Sequence, residues 1–191
     1  MKAIFKLAFI LTLVCVVCTA ILAVVNDVTS EPIAQTREKQ MLDAARKVLP
    51  EGAAPVAVTR VIDGRTNTCF VVRDAAGAVT AVALKGTAPK GYGGPVGIMF
   101  GIAADGALLN YEVTEQTETP GLGSKIKEDP FRSRLLQRSD GTPRPTAGTN
   151  WKVTRDGGDI EAVTAATISS RAALEALRNA LETYEALKPT L

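Results

Sequence analysis

The run from Leu7 to Val25 limits this chain's folding options more than any other feature: of its nineteen residues only Thr12 and Thr19 are not apolar. As a helix rising ~1.5 Å per residue, it approaches the ~30 Å hydrocarbon thickness of a bilayer. Lys2 and Lys6 precede it, and Asp27 and Glu31 follow it. The positive-inside rule therefore puts the N-terminus in the cytoplasm and the rest across the membrane. A cleaved signal peptide is the competing reading, with Cys18-Thr19-Ala20 as a passable small-residue cleavage site. The run outlasts the ~7–15 residues of an ordinary h-region and continues past that site, which favours an uncleaved single-pass anchor.

Charge and histidine content then exclude whole classes of function. Lys2 and Lys6 are the only charges in the first 26 residues, so residues 27–191 carry 20 of each sign and offer no general electrostatic footprint for nucleic acid. The chain has no histidine. Ser-His-Asp and Cys-His catalysis, HExxH zinc sites and His-ligated haem are thereby ruled out. Cys15 and Cys18 make a C-x-x-C inside the apolar run, where redox or metal chemistry would want exposed thiolates near positive charge or a second ligand pair. Their neighbours are apolar, so they read as small apolar residues of a membrane helix, and Cys69 reads as core. No disulfide framework and no metal site are expected.

After the anchor, residues 1–26, Ser30-Glu31-Pro32 reads as the start of a new helix, with Ser as cap and Pro in the first turn. Ile33, Met41, Leu42, Ala45, Val48 and Leu49 give it an amphipathic pattern that stops at Pro50 and Gly52, making 27–52 a connecting helix. The domain proper, 53–191, opens with β-branched runs at 56–62 and 69–72 separated by Asp63-Gly64, then turns at Ala76-Gly77 into 79–84. Residues 96–103 and 107–113 flank Asp105-Gly106, a hairpin signal. A short helix over 129–138, a Pro/Gly-rich loop at 141–148 and a strand at 151–154 follow. From Ile168 to Leu187 the residues Leu174, Leu177, Leu181 and Tyr184 share one helical face. The fold class is α+β: a transmembrane helix, mostly antiparallel strands and a long C-terminal helix.

Three constellations offer chemistry. Gly91-Tyr92-Gly93-Gly94-Pro95-Val96-Gly97 fails as a dinucleotide fingerprint because Val96 stands where the third glycine belongs and a strand follows. It is either a plain turn or a bend where a flat ligand approaches the backbone. Glu118-Thr119-Pro120-Gly121-Leu122-Gly123 is either a structural loop or a rigid one holding a ring against Leu122, with Thr119 and backbone donors at the ring's polar edge. The small residues and hydroxyls from Glu161 to Ser170 lead into the last helix, where Thr and Ser ordinarily act as caps. A hydroxyl there is also where a phosphate group would be held well, by unpaired N–H groups and the helix dipole.

The last two motifs, in this order and behind an N-terminal anchor, resemble the G subunit of the Rnf ion-translocating electron transport complex, a family that carries the FMN-binding domain. The C subunit of the sodium-pumping NADH:quinone reductase is its close relative. The resemblance spans the anchor, Gly-Tyr-Gly-Gly-Pro, the Glu-Thr-Pro-Gly-Leu-Gly loop and the entry to the last helix. In this family a flavin transferase moves FMN onto the last Thr of a motif close to D-x-x-S-G-A-T, matched here by Glu161, Thr164, Ala165, Ala166 and Thr167. The resemblance thus implies FMN in phosphoester linkage to Thr167, with Thr164, Ala165 and Ala166 beside it. Ala165 stands for Gly, and Gln116 occupies a position where relatives often have His. Tyr92, Leu122, Gly121 and Gly123 would flank the isoalloxazine, while Glu118, Thr119 and Lys152 would address its polar edge; Trp151 reads as core.

The resemblance also implies the setting. The chain would pass electrons within a multi-subunit complex of the cytoplasmic membrane that couples electron flow between ferredoxin and NAD to sodium or proton movement. Its domain would lie on the periplasmic side, and it would carry no catalytic acid or base, since no substrate bond is broken. A lone helix without a buried charge offers no ion path, so this subunit would pump nothing by itself. The rival is a flavin-free anchored assembly module in which Thr167 only caps the helix.

Overall fold

The computed structural model describes Lys2–Ile62 and Arg65–Thr190; the turn expected at Asp63-Gly64 lies outside the described residues. The chain divides into two compact units, Met1–Gln40 and Met41–Leu191. Most of helix α1 (Lys2–Val48) lies in the first, where it runs without a break through the apolar segment, whose side chains are exposed throughout. This helix is long and apolar enough to cross a membrane.

A new helix does not begin at Ser30. Pro32 sits inside α1, and Ser30 Oγ donates to the carbonyl of Asp27 at 3.1 Å instead of capping. Proline costs one ladder hydrogen bond, but only at that residue, and good helix formers such as Ala34, Gln35, Arg37, Glu38 and Lys39 follow at once.

The second unit is built on a five-stranded antiparallel meander, β1 (Val56–Ile62), β2 (Arg65–Arg73), β3 (Val79–Ala88), β4 (Val96–Ala103) and β5 (Leu108–Glu115), hydrogen-bonded in chain order. Side chains alternate between faces as a strand requires. Cys69, Val71, Val82, Leu84, Ile98, Phe100 and Ile102 enter one core, while Phe70, Val72, Ala81, Ala83 and Met99 enter another. Helix α3 (Thr167–Leu187) covers the first face with Ala173, Leu174, Leu177 and Ala180. Its small residues allow close approach: a methyl on Gly86 of β3 would overlap the carbonyl of Ala176. The last turns of α1, with Ala44, Ala45, Val48 and Leu49, cover the second face. Both faces of β4 are therefore buried, which is why it reads as a nearly continuous apolar run.

Helix α2 (Phe131–Leu136) follows a 3-10 turn at Gly123–Lys127. The strand expected at 151–154 does not form. Val153 makes one parallel bridge to Ile160, and the loop closes on itself through Asn150 N–H to Asp159 Oδ2 (2.7 Å) and Lys152 N–H to the Asn150 carbonyl (2.7 Å). With its backbone groups satisfied locally, the segment has no need of a sheet edge. Trp151 is buried as expected, its indole N–H donating to the Thr146 carbonyl at 3.1 Å.

Candidate functional site

Three segments far apart in sequence meet beside the start of α3. The first is the β3–β4 connection, closed by the Gly91 N–H bonding to the Gly94 carbonyl at 2.8 Å. The second is the loop after β5. Thr117 Oγ1 donates to the Gly93 carbonyl (2.9 Å), and Gln116 Oε1 accepts from the Glu118 N–H (2.9 Å). The loop then turns at Gly121, whose φ of +75° suits glycine, and its N–H donates to Ser124 Oγ at 2.9 Å. The third segment is the turn from Val163 into α3.

Glu118 joins them. It is 4% exposed, and its Oε1 accepts from the Tyr92 N–H at 2.8 Å and the Gly93 N–H at 3.2 Å. Its Oε2 accepts from the hydroxyl of Ser169, itself 2% exposed. A methyl on Gly91 or on Gly123 would collide with this carboxylate, so both positions are glycine because the backbone presses against it. Both carboxylate oxygens are thus committed to protein donors. Glu118 therefore braces the site, and it also lines the cavity.

At the entry to α3, Ala165 adopts φ +61°, a left-handed conformation that glycine takes without cost. Ser170 grips the turn twice: its Oγ accepts from the Val163 N–H (2.9 Å) and donates to the Ala166 carbonyl (3.0 Å). Ala166 is the N-cap residue and makes no side-chain cap bond, so Thr167 is the first residue within the helix and not its cap. The Thr167 hydroxyl makes no hydrogen bond among the described residues, and the side chain is half-buried. Helix geometry leaves the first amides of α3 without intrahelical acceptors. Upstream, Glu161 is exposed and pairs with Arg134 at 3.1 Å, and Arg134 also donates to the Ala162 carbonyl at 3.3 Å.

These parts enclose a cavity of about 420 Å³, within the ~300–1,000 Å³ typical of ligand pockets. Eight of the expected residues line it: Tyr92, Glu118, Thr119, Leu122 and Gly123 from the two loops, and Ala165, Ala166 and Thr167 from the helix entry. Its apolar rim consists of Tyr92, Leu122 and Ile168, at 69%, 45% and 46% exposure. Gly121 and Thr164 shape the adjoining turns without lining the cavity. Lys152 is not there either. It lines a separate depression with Asp156, Arg171 and Arg178, where the Arg171 guanidinium holds the Asp156 carboxyl below its ordinary range. The tight 150–160 loop carries Lys152 to that depression.

The sequence reading missed Ile168 and Ser169 as lining residues; Ser169 stood inside the stretch singled out but was read only as capping material. The far side of the second loop is also pinned. Tyr111 Oη donates to the Ile126 carbonyl at 2.5 Å, and Arg132 lies 4.7 Å over the Tyr111 ring while donating to the Tyr111 and Lys127 carbonyls. Burial pushes the Tyr111 phenol well above its ordinary range.

Likeness to known proteins stands beside this geometry. Residues 91–182 match the FMN-binding domain family and residues 1–48 match the RnfG N-terminal region. The G subunit of the ion-translocating oxidoreductase complex from Cereibacter sphaeroides is 36% identical over 183 residues, covering 92% of this chain and 82% of that protein. Its counterpart from Vibrio cholerae is 34% identical over 194 residues, covering 95% and 90%. The crystal structure of Shewanella oneidensis NqrC superposes with a TM-score of 0.46 at 19% identity, over 76% of this chain and 72% of that one.

Proposed function

The chain belongs to the G-subunit family of ion-translocating oxidoreductase complexes, and from that premise we propose that it is a membrane-anchored electron-transfer subunit carrying FMN in phosphoester linkage to Thr167. One observation carries the covalent part of this reading: a threonine hydroxyl with no hydrogen-bond partner among the described residues, on the wall of a cavity at the start of a 21-residue helix. A capping threonine would have spent its hydroxyl on a backbone N–H, and the rival flavin-free module depends on such a cap.

The residues present fit the group. Tyr92, Leu122 and Ile168 supply apolar surface for a ring, Thr119 supplies a hydroxyl, and the free amides at the start of α3 suit a phosphodiester's charge. Bound flavin would supply reversible one- and two-electron chemistry that no side chain offers. The protein's own part is to hold the group, exclude water from one side of it and keep it from diffusing away. Ala165, where the family motif has glycine, already holds the left-handed turn that presents Thr167.

In this reading residues 1–26 anchor a single-pass protein with its N-terminus in the cytoplasm, 27–52 connect, and 53–191 form the flavin domain on the periplasmic side. Its partners are the other subunits of an Rnf-type complex and, for maturation, a flavin transferase. The complex would couple electron flow between ferredoxin and NAD to sodium or proton movement.

The test is co-expression of the full chain with a flavin transferase, followed by ultraviolet illumination of a denaturing gel beside Thr167→Ala. A fluorescent wild-type band and a dark mutant band are expected. A dark wild-type band, or an equally bright mutant, would overturn the assignment.

A further inference from the structure

The carboxylate of Glu118 is deeply buried, and its hydrogen bonds join the Gly91–Gly94 turn and the start of α3 to the loop that carries it. Its partner Ser169 occupies the third position of α3, where a capping-box side chain would ordinarily reach back to the N-cap amide. Here that amide, on Ala166, bonds instead to the Val163 carbonyl at 3.0 Å, and the Ser169 hydroxyl is free to reach out of the helix to Glu118.

Helix geometry gives this contact a directional consequence. Successive residues are ~100° apart around the axis, so Thr167 and Ser169 project about 200° from one another. Drawing Ser169 inward to Glu118 therefore fixes the rotation of the first turn and leaves Thr167 half-buried on the cavity wall and Ile168 at its rim. Ser170 secures the same turn from behind through Val163 and Ala166.

We propose that Glu118 and Ser169 are the positioning pair for Thr167: their bond pins the first turn of α3 to the Gly91–Gly94 turn and thereby decides which way the acceptor hydroxyl faces. The functional half of this proposal rests on the flavin reading above; the mechanical half does not. Glu118 and Ser169 hydrogen-bond to one another and not to the Thr167 hydroxyl, so the pair acts through the orientation of Thr167. It also couples two walls of the cavity, so that loosening one frees the other.

The test uses the full chain and two readouts. Hydrogen exchange on protein without flavin should show the Tyr92 and Gly93 amides exchanging at least tenfold faster in Ser169→Ala, with Ile98 and Phe100 of β4 unchanged. Flavin loading at limiting transferase should be at least tenfold slower in the same variant. Should Ser169→Ala not fold, Ser169→Cys, which keeps the shape and replaces the hydroxyl with a weak donor, carries both readouts. Wild type that takes no flavin while the exchange rates respond as described removes the flavin reading and keeps the pin. Wild type that loads normally, with Ser169→Ala loading at the same rate, overturns the positioning role and leaves the flavin reading standing. Unchanged exchange at Tyr92 and Gly93 in both variants overturns the pin itself.

Discussion

The two ends of α3 are held by different physics. From Ala172 to Leu187 the helix is held chiefly by apolar packing, with Ala173, Leu174, Ala176, Leu177 and Ala180 fully buried against the sheet and Arg178 and Asn179 adding bonds to the Trp151 and Thr87 carbonyls. Its entry, from Val163 to Ser170, buries Val163 and Ala166 but is oriented by the hydrogen bonds of Ser169 and Ser170, with Thr167 left half-exposed. Packing is non-directional and tolerates small shifts, so it supplies stability. Hydrogen bonds to a buried carboxylate are directional, so they supply placement. One helix thus divides the work, and its sturdy half serves as the mount for its exacting half.

Four substitutions probe that division, beginning with the largest effect. Thr167→Ala should abolish in-gel flavin fluorescence while shifting the urea midpoint little, because the hydroxyl supports nothing in the fold. A large loss of stability would mean that Thr167 belongs to the structural half after all. Leu177→Ala, at a fully buried site, should cost ~2–5 kcal/mol in urea unfolding. Under native conditions that variant should still load flavin, and a loss of loading with the fold intact would break the comparison.

The third probe is pH. Because burial raises the folded-state pKa of Tyr111, its phenol stays protonated in the folded chain while the unfolded chain ionises near pH ~10. The unfolded state then binds fewer protons, so stability should fall as pH rises above ~10 and be flat in this respect below it. Urea melts from pH ~8 to ~11, which bracket this ionisation, should show that slope shrink in Tyr111→Phe. The smallest effect is expected of Ala165→Gly, which should stabilise the chain by up to ~1 kcal/mol by relieving the left-handed φ at the turn. Thermal melts that move the other way would mean that the added chain entropy outweighs the relieved strain.

The packed half was legible in the sequence and much of the positioned half was not. Strands β1 to β5 announced themselves through β-branched runs and turn dipeptides, and α3 through the spacing of Leu174, Leu177 and Tyr184, because period-two and period-3.6 patterns are local. Eight of the expected residues, from Tyr92 to Thr167, share one cavity, brought together by motifs whose meaning came from a family resemblance. The role of Glu118 was out of reach, since its partners stand 26 and 51 positions away and no spacing rule spans such distances. Lys152 falls outside the cavity for a related reason: 151–154 reads as a strand by composition, whereas Asn150 and Asp159 close it into a loop. Pro32 misled in the opposite sense, because a breaker signal is local and the helix runs on through the helix formers that follow it.

The burial of Met99 and Phe70 beneath Val48 and Leu49 also says where the chain can be cut. Those last turns of α1 are by sequence an extension of the anchor, yet by packing they are a lid on the sheet. A fragment begun at Pro50 would bare the whole second face of the meander and invite its molecules to stick to one another. The seam lies earlier, at Met41, and a fragment begun there takes its own cover with it.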